Sequence, residues 1–204
     1  VRPNDVTYTV LIDGAGRLGD VKRAEEAFEH MKNVGVEPSL VCYTALLGAY
    51  SKAGNTKKIK ATMRKLEKAS LKLDSVVYNV VIEAYARNGQ TKDALSTVKD
   101  MQYRGMKPTL NAYHAVVMAC SERGDAKGGL SSLKGMQSAG LRAGCCSMYN
   151  MVMKAFLSNN DVQGVYKTMG LLKTHGLRAD STTKDILKNT REAKSRQEKA
   201  SAKA

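Results

Sequence analysis

The chain has 204 residues, of which 43% are hydrophobic, and 33 Lys and Arg against 19 Asp and Glu give it a formal charge of +14. This composition can bury a core and argues against global disorder, and no apolar run reaches the roughly 18–20 residues of a transmembrane helix. The four cysteines lack C-x-x-C spacing, which argues against a disulfide scaffold or a zinc finger and favours a reducing compartment.

Tyrosine recurs along the chain at a fixed spacing. Tyr8, Tyr43, Tyr78 and Tyr113 are 35 residues apart, and Tyr149 follows after 36. Glycine stands 11 residues after each tyrosine, except for Asn160 in the fifth unit, and 27 residues after each, except for Ser70 in the second. Several columns in phase predict five repeated units, with boundaries at 5–39, 40–74, 75–109, 110–145 and 146–180.

Each unit is predicted to be a pair of short helices. In the third unit, apolar residues at helical spacing predict a first helix over Val76–Arg87, and Gly89 supplies a left-handed stop. Thr91 is predicted to be the N-cap of a second helix that runs to about Arg104. A single helix pair cannot bury its apolar stripe, whereas stacked pairs can. The sequence therefore predicts an α-solenoid whose concave face is formed by one helix of each pair.

The two ends of the chain depart from the repeat. Val1–Asn4 is similar to the last turn of a unit, so we expect the array to continue on that side. After Ser181 a sixth unit begins, but Lys184 replaces the tyrosine. Residues 181–204 are therefore expected to form a capping helix that frays into a basic tail.

The segments VTYTVLIDGAGRLGDVKRAEEAFEHMKNVGVEPS, from Val6, and VVYNVVIEAYARNGQTKDALSTVKDMQYRGMKPT, from Val76, resemble pentatricopeptide repeats of the plain 35-residue type. The resemblance extends over residues 5–180. Tetratricopeptide repeats are the alternative, but they have a 34-residue period and a Trp/Leu-Gly signature. The resemblance implies an all-α solenoid wound into a right-handed superhelix. It also implies a mitochondrial or chloroplast location and single-stranded RNA as the partner, with one base bound per repeat.

The family resemblance implies that two residues read each base: the residue after the repeated tyrosine and the last residue of the unit. These pairs are Thr9 with Ser39, Thr44 with Asp74, Asn79 with Thr109, His114 with Cys145, and Asn150 with Asp180. By analogy with the family, the first pair suits a purine, the second guanine, the third a pyrimidine and the fifth uracil. His114 with Cys145 matches no established pair. Thr, Asn and Asp near a helix start are also common caps, and that interpretation stays open.

Two further columns distinguish the first three units from the last two. The family places each base between apolar residues two positions before the tyrosine, which here are Val6, Val41 and Val76, followed by Asn111 and Ser147. A basic residue nine positions after the tyrosine can reach a phosphate, and here these are Arg17, Lys52 and Arg87, followed by Glu122 and Ser158. We therefore expect an RNA-binding groove over repeats one to three, with Asn150 and Asp180 as a vestige.

A second interpretation is an interaction scaffold in a large organellar ribonucleoprotein or transcription complex. The second repeat carries a charge of +6, largely from its second helix, which is expected to face the convex side. The residues of this convex basic patch are Lys57, Lys58, Lys60, Arg64, Lys65 and Lys68. Such a patch could contact structured RNA or an acidic protein. His30, His114 and His175 stand at unrelated phases, so we expect no metal site. The sequence shows no Gly-rich phosphate loop, Ser/His/Asp set or paired-carboxylate arrangement, so we also expect no cofactor and no catalysis.

Overall fold

The computed structural model describes residues 3–68 and 72–201, and every regular element in these ranges is an α-helix. The helices are α1 (Asp5–Arg17), α2 (Val21–Asn33), α3 (Leu40–Lys52), α4 (Thr56–Lys68), α5 (Ser75–Arg87), α6 (Thr91–Tyr103), α7 (Leu110–Glu122), α8 (Ala126–Ser138), α9 (Ser147–Ser158), α10 (Val162–Thr174) and α11 (Ser181–Ser201). The all-α helical-repeat fold is confirmed. Val1 and Arg2 of the expected preceding turn, Ser70 of the glycine column and residues 202–204 of the tail lie outside the described residues.

The chain divides into two compact units, Val1–Pro108 and Thr109–Ala204. In the first unit, α1, α3 and α5 pack side by side, and α2 and α4 each pack against the first helix of their own repeat and of the next. In the second unit, α7 and α9 are neighbours, α8 and α10 lie against them, and α11 packs on α9 and α10. None of the described helices combines the length and apolarity needed to cross a bilayer.

A left-handed residue separates the two helices of each repeat. Gly19, Gly54, Gly89 and Gly124 have φ between 65° and 78°, and Asn160 takes the same role in the fifth repeat with φ of 55°. In the first repeat, the N–H of Gly19 bonds to Gly16 and that of Asp20 to Ala15, which satisfies the last carbonyls of α1. The column of glycines therefore marks helix ends, as the sequence predicts.

The predicted N-cap at Thr91 is wrong. Gln90 is the N-cap of α6, because its carbonyl accepts the first intrahelical bond from Ala94 at 3.0 Å, and it makes no side-chain capping bond. Thr91 is instead the first helical residue and is buried. The left-handed turn at Gly89 places the N-cap of α6 at Gln90, one residue before the position that the capping preference of threonine predicts.

The core is built from the same positions in successive repeats, with one exception at α1. Three residues after the repeated tyrosine, Leu46 is 4% exposed, and Val81, Val116 and Val152 are equally buried. Leu11 occupies this position in the first repeat and is 53% exposed. In the later repeats of each unit this face of the first helix packs against the helix pair before it. In the described chain, α1 has no such neighbour.

Tyr8 and Tyr78, two of the repeated tyrosines, are anchored by polar groups on the second helix of their pair. The hydroxyl of Tyr8 lies 2.8 Å from Nδ1 of His30, and that of Tyr78 donates to Asp100 at 2.6 Å. His30 and Asp100 both stand 22 residues after their tyrosine, so the contact is a repeated one. These bonds let a buried phenol keep a hydrogen-bond partner.

Tyr149 is anchored instead by Nδ1 of His175, whose other ring nitrogen, Nε2, is buried without a partner among the described residues. Burial, with a smaller contribution from Arg142, lowers the pKa of His175 below its ordinary value of 6.5. The unfolded chain therefore binds a proton at a higher pH than the folded chain does. We expect the free energy of unfolding to fall as the pH drops from 7 to 5.

Urea unfolding at pH 7.0 and 5.5 tests this expectation. The difference between the two free energies of unfolding should be smaller in His175→Gln than in the wild type, whatever the absolute stability of the variant. An unchanged difference would show that other groups govern the acid sensitivity.

Helix α11 covers the end of the second unit with three residues on one face. Thr183, Ile186 and Thr190 are buried against α9 and α10. The hydroxyl of Thr190 donates to the carbonyl of Ile186 at 2.7 Å, which allows a polar residue to be buried. Beyond Thr190, the residues as far as Lys199 are exposed except for the half-buried Ala193, and the helix continues to Ser201.

Candidate nucleic-acid interface

A groove in the first unit brings together three of the predicted sets of residues. It has a volume of about 470 Å³ and is lined chiefly by α1 and α3, with Val80 from α5. Its walls include the predicted base-reading residues Thr9 and Thr44, the apolar Val41, and the basic Arg17 and Lys52. These residues are up to 43 positions apart in sequence, from Thr9 to Lys52, and the repeat places them on one surface.

The predicted base-sandwiching valines are exposed, and Val41 is the one of them that lines the groove. Val6, Val41 and Val76 are 65%, 63% and 55% exposed, although each lies two residues before a tyrosine that faces the helix pair. Single exposed valines are unremarkable, but three at one repeat position form a regular apolar row. A flat apolar ligand placed between successive valines would remove this surface from water.

The hydroxyl groups of the predicted base-reading threonines donate their hydrogen bonds to backbone carbonyls of their own helices. Thr9 donates to the carbonyl of Asp5 at 2.9 Å, and Thr44 donates to that of Leu40 at 2.8 Å. The Thr44 hydroxyl therefore offers its remaining lone-pair capacity as an acceptor, whereas Oγ1 of Thr9 also lies 2.9 Å from Sγ of Cys42. Asn79 is half-buried at the same position of α5.

The last residues of the first three repeats are N-caps. Ser39 accepts from the N–H of Cys42 at 3.4 Å, and Thr109 accepts from that of Ala112 at 3.2 Å. Asp74 caps α5 with Oδ1 alone, which accepts from Val76 and Val77, both at 3.0 Å. Because Oδ2 takes no part in the cap, Asp74 has one carboxylate oxygen to offer to a ligand.

Asn150 and Asp180 are brought together, but they satisfy each other. Asn150 is only 6% exposed, and its Nδ2 lies 3.1 and 3.2 Å from the two carboxylate oxygens of Asp180. Thr183 donates its hydroxyl to Oδ1 of Asn150 at 2.8 Å and its N–H to Asp180 at 2.7 Å. The bonds from Thr183 and Asn150 lower the pKa of Asp180. His114 and Cys145, the pair without an established match, are both exposed.

The predicted phosphate-contacting residues differ in their neighbours. Nε of Arg17 lies 2.7 Å from Asp13, and Arg87 lies 3.9 Å from Glu83. Asp13 and Glu83 precede their arginines by four residues on the same helix, and sequence reasoning overlooked them, although this spacing is a known signal for a helical ion pair. Lys52 has Gly48 at that position, and its ammonium donates to the carbonyl of Arg17 at 3.3 Å. Lys52 is therefore the cation of this row without a carboxylate partner in the described chain.

The six residues of the convex basic patch all lie on α4, and none of them lines the groove. Two of them are neutralised by adjacent repeats. Lys58 lies 2.5 Å from Glu25, and Lys60 lies 3.5 Å from Asp93. Burial alone would raise the pKa of Glu25, but hydrogen bonds from Lys58 and Tyr50 lower it. The other four members form no ion pair among the described residues.

Comparisons with known proteins agree with the repeat pattern. The family model for the PPR repeat family matches residues 3–52 and 73–122, and the model for the PPR repeat matches residues 41–71. No curated protein matches the chain.

Three solved structures share the fold. The pentatricopeptide repeat protein PPR10 from maize is 25% identical, with a TM-score of 0.69 over 94% of this chain and 29% of its own. The same protein in complex with an 18-nt psaJ RNA element is 22% identical, with a TM-score of 0.64 over 97% of this chain and 28% of that one. The PPR domain of Arabidopsis thaliana protein-only RNase P 1, in complex with tRNA, is 16% identical, with a TM-score of 0.74 over 92% and 98% of the two chains. The chain thus spans about three tenths of the maize protein.

Proposed function

The chain belongs to the pentatricopeptide repeat family, and we propose that it binds single-stranded RNA in the groove of its first unit, with one base per repeat. The observation that carries this proposal is the groove itself, where base-reading hydroxyls, an exposed valine and basic side chains line one cavity of about 470 Å³. The maize relative is described in complex with an RNA element, which supports the same class of ligand.

The second repeat has the chemistry to select guanine. Thr44 and Asp74 both present acceptors, because the threonine proton is committed to Leu40 and Oδ2 of the carboxylate is outside the cap. Guanine is the base whose Watson–Crick edge carries two adjacent donor groups, the N1–H and the N2 amino group. A guanine between Val41 and Val76 would meet both acceptors while its faces cover the two exposed valines.

The neighbouring repeats extend the recognised sequence by one base on each side. Thr9 with Ser39 is proposed to favour a purine, and Asn79 with Thr109 a pyrimidine, cytosine first. In the fifth repeat, Asn150 and Asp180 would have to give up bonds to each other and to Thr183 before reading uracil. We therefore propose that recognition is graded along the chain and strongest in repeats one to three.

The biological setting of this activity is proposed from the family. We propose that the protein acts in a mitochondrion or chloroplast, in the processing, stability or translation of an RNA, and that it binds RNA without catalysing a reaction on it. Four free cysteines are compatible with the reducing interior of either organelle.

Neutralising Lys52 should weaken RNA binding more than neutralising Arg17. Lys52→Gln is expected to lower affinity for a single-stranded RNA about three- to tenfold and to reduce the salt slope by about one. Arg17→Gln should cost about twofold, because Asp13 already shares its charge. Asp13→Asn should raise the affinity about twofold by releasing the guanidinium for a phosphate.

Fluorescence anisotropy with a labelled 12-nucleotide RNA, at several salt concentrations, measures all three effects. The proposed groove is contradicted if Lys52→Gln and Asp13→Asn both leave affinity and salt slope unchanged. A uniform loss for every variant that removes a positive charge would point to net charge rather than to this row.

A further inference from the structure

Helices α4 and α6 form a second charged face on the first unit, away from the groove. Two ion pairs join the helices, one near each end: Lys60 lies 3.5 Å from Asp93, and Arg104 lies 3.9 Å from Glu67. Asp100 is also engaged, since it accepts from Tyr78 and pairs with Arg104 at 3.2 Å. The carboxylates of these two helices are therefore held in internal contacts.

The outward positions of both helices repeat with the 35-residue period. On α4 they are Lys57, Ala61, Arg64 and Lys68, and on α6 they are Lys92, Ser96, Lys99 and Tyr103. This spacing of four, three and four residues places each set in a straight row along its helix, and all eight residues are exposed. The five cations in these rows form no ion pair among the described residues.

Within the first unit, this face is particular to repeats two and three. The same positions on α2 carry Lys22, Glu26, Glu29 and Asn33, which nearly cancel in charge. On α4, like charges without an ion pair among the described residues also stand three or four residues apart, as at Arg64, Lys65 and Lys68, and such pairs weaken an isolated helix. Binding of a polyanion would relieve this repulsion and so stabilise α4.

Tyr103 gives a second indication of the ligand. Its side chain is 91% exposed at the end of α6, in the register position that Lys68 occupies on α4. An aromatic ring beside cations is typical of surfaces that stack an unpaired base while neighbouring side chains bind phosphates. An acidic protein partner would use the cations but would leave the ring without a specific role.

We propose that the outer face of α4 and α6 is a second RNA-binding surface, which binds the backbone of a stem-loop and stacks an unpaired loop base on Tyr103. Side-chain ion pairs bridge α4 and α6, and Lys57 and Arg64 are separated by about 10 Å along α4. This grid spans several phosphates, so binding is insensitive to sequence and steeply dependent on salt. The surface acts independently of the groove, because it shares none of the residues that line it.

A matched pair of triple variants tests this surface with a labelled hairpin RNA of ten base pairs and a four-uridine loop. The first variant is Lys57→Gln, Arg64→Gln and Lys68→Gln, and the control is Lys134→Gln, Lys167→Gln and Lys173→Gln, which removes the same charge from exposed lysines of α8 and α10. We expect the first to lower affinity at least tenfold and the salt slope by about three, and the control to lower affinity less than threefold. Thermal unfolding followed by circular dichroism checks that both variants fold.

Tyr103→Ala tests the stacking contact separately. It should lower affinity for the hairpin about fivefold and leave affinity for a blunt duplex of the same stem unchanged, whereas Lys52→Gln should not change hairpin binding. Equal losses for the two triple variants would overturn the proposal. It would also be overturned if an Asp/Glu-rich peptide displaced the hairpin from the wild type at equal concentration, since the partner would then be an acidic protein.

Discussion

Replacing Thr44 and Asp74 together by alanine is expected to lower affinity for a matched RNA about 10- to 100-fold. The reason is the loss of two acceptors that face the donor edge of guanine, one of them charged, and hydrogen bonds to charged groups are each worth roughly 1.5–3 kcal/mol. Asp74→Ala also removes the cap of α5, which accepts from Val76 and Val77 at 3.0 Å. Part of the effect therefore comes from a loosened helix start, at about 1 kcal/mol of stability.

Base specificity separates these two contributions. The matched RNA contains adenine, guanine and cytosine in succession within a uridine background, and an RNA with these three bases in the reverse order is tested as well. The comparison RNA has adenine in place of guanine. Anisotropy titrations should show that the wild type prefers guanine and that the double variant binds both RNAs alike. A loosened helix would weaken both RNAs and keep the preference.

The equivalent change in the fifth repeat provides the control. Asn150→Ala breaks the bonds to Asp180 and Thr183 in a buried site and should lower the free energy of unfolding by about 1–3 kcal/mol. Its RNA affinity should change less than threefold. Equal losses of affinity in the second and fifth repeats would contradict a groove graded along the chain.

Leu46→Ala is expected to lower the free energy of unfolding by about 2–5 kcal/mol, the usual range for a buried leucine. Leu11→Ala, the same substitution at the same repeat position, should cost less than about 1 kcal/mol. The difference arises because Leu46 is 4% exposed, packed between α3 and its neighbours, whereas Leu11 is 53% exposed. Alanine favours a helix, and at Leu11 this offsets part of the lost contact.

Chemical unfolding in urea, followed by circular dichroism at 222 nm, compares the two leucine variants under identical conditions. The midpoint should fall clearly for Leu46→Ala and hardly at all for Leu11→Ala, with similar slopes. Equal shifts would mean that α1 is covered in solution by another molecule or another segment.

The helical repeat was predictable because its signals are local and repeated. A residue at positive φ, glycine in the first four repeats and Asn160 in the fifth, marks the end of each first helix. A tyrosine, buried or half-buried, recurs every 35 or 36 residues. Thr91 shows the limit of this reasoning, since capping preference alone does not decide which of two adjacent residues begins a helix. Leu11 shows another limit, because its sequence position is typical of a core residue and its exposure depends on what packs beside α1.

The candidate site was only partly predictable, because its side chains compete for partners that are remote in sequence. Thr183 lies 33 residues beyond Asn150 and donates a hydrogen bond to its amide oxygen. No local sequence pattern predicts this contact. Asp13 and Glu83 lie one helical turn before their arginines and were within reach of a sequence argument based on ion pairs. The exposure of Val6, Val41 and Val76 could not be inferred from their type, because valine before an aromatic residue is common in cores.

The N-caps at the ends of the repeats limit how RNA specificity can evolve. Ser39, Asp74 and Thr109 each hold the start of the next helix with the same side chain that is proposed to contact a base. Only Ser, Thr, Asp and Asn cap a helix well through a side-chain oxygen. A repeat can therefore change the base that it recognises by substitution among these four residue types. Substitution by any other residue type weakens the fold itself. Helix α9 does not begin with one of these four residue types: its N-cap is Cys146, which makes no side-chain capping bond.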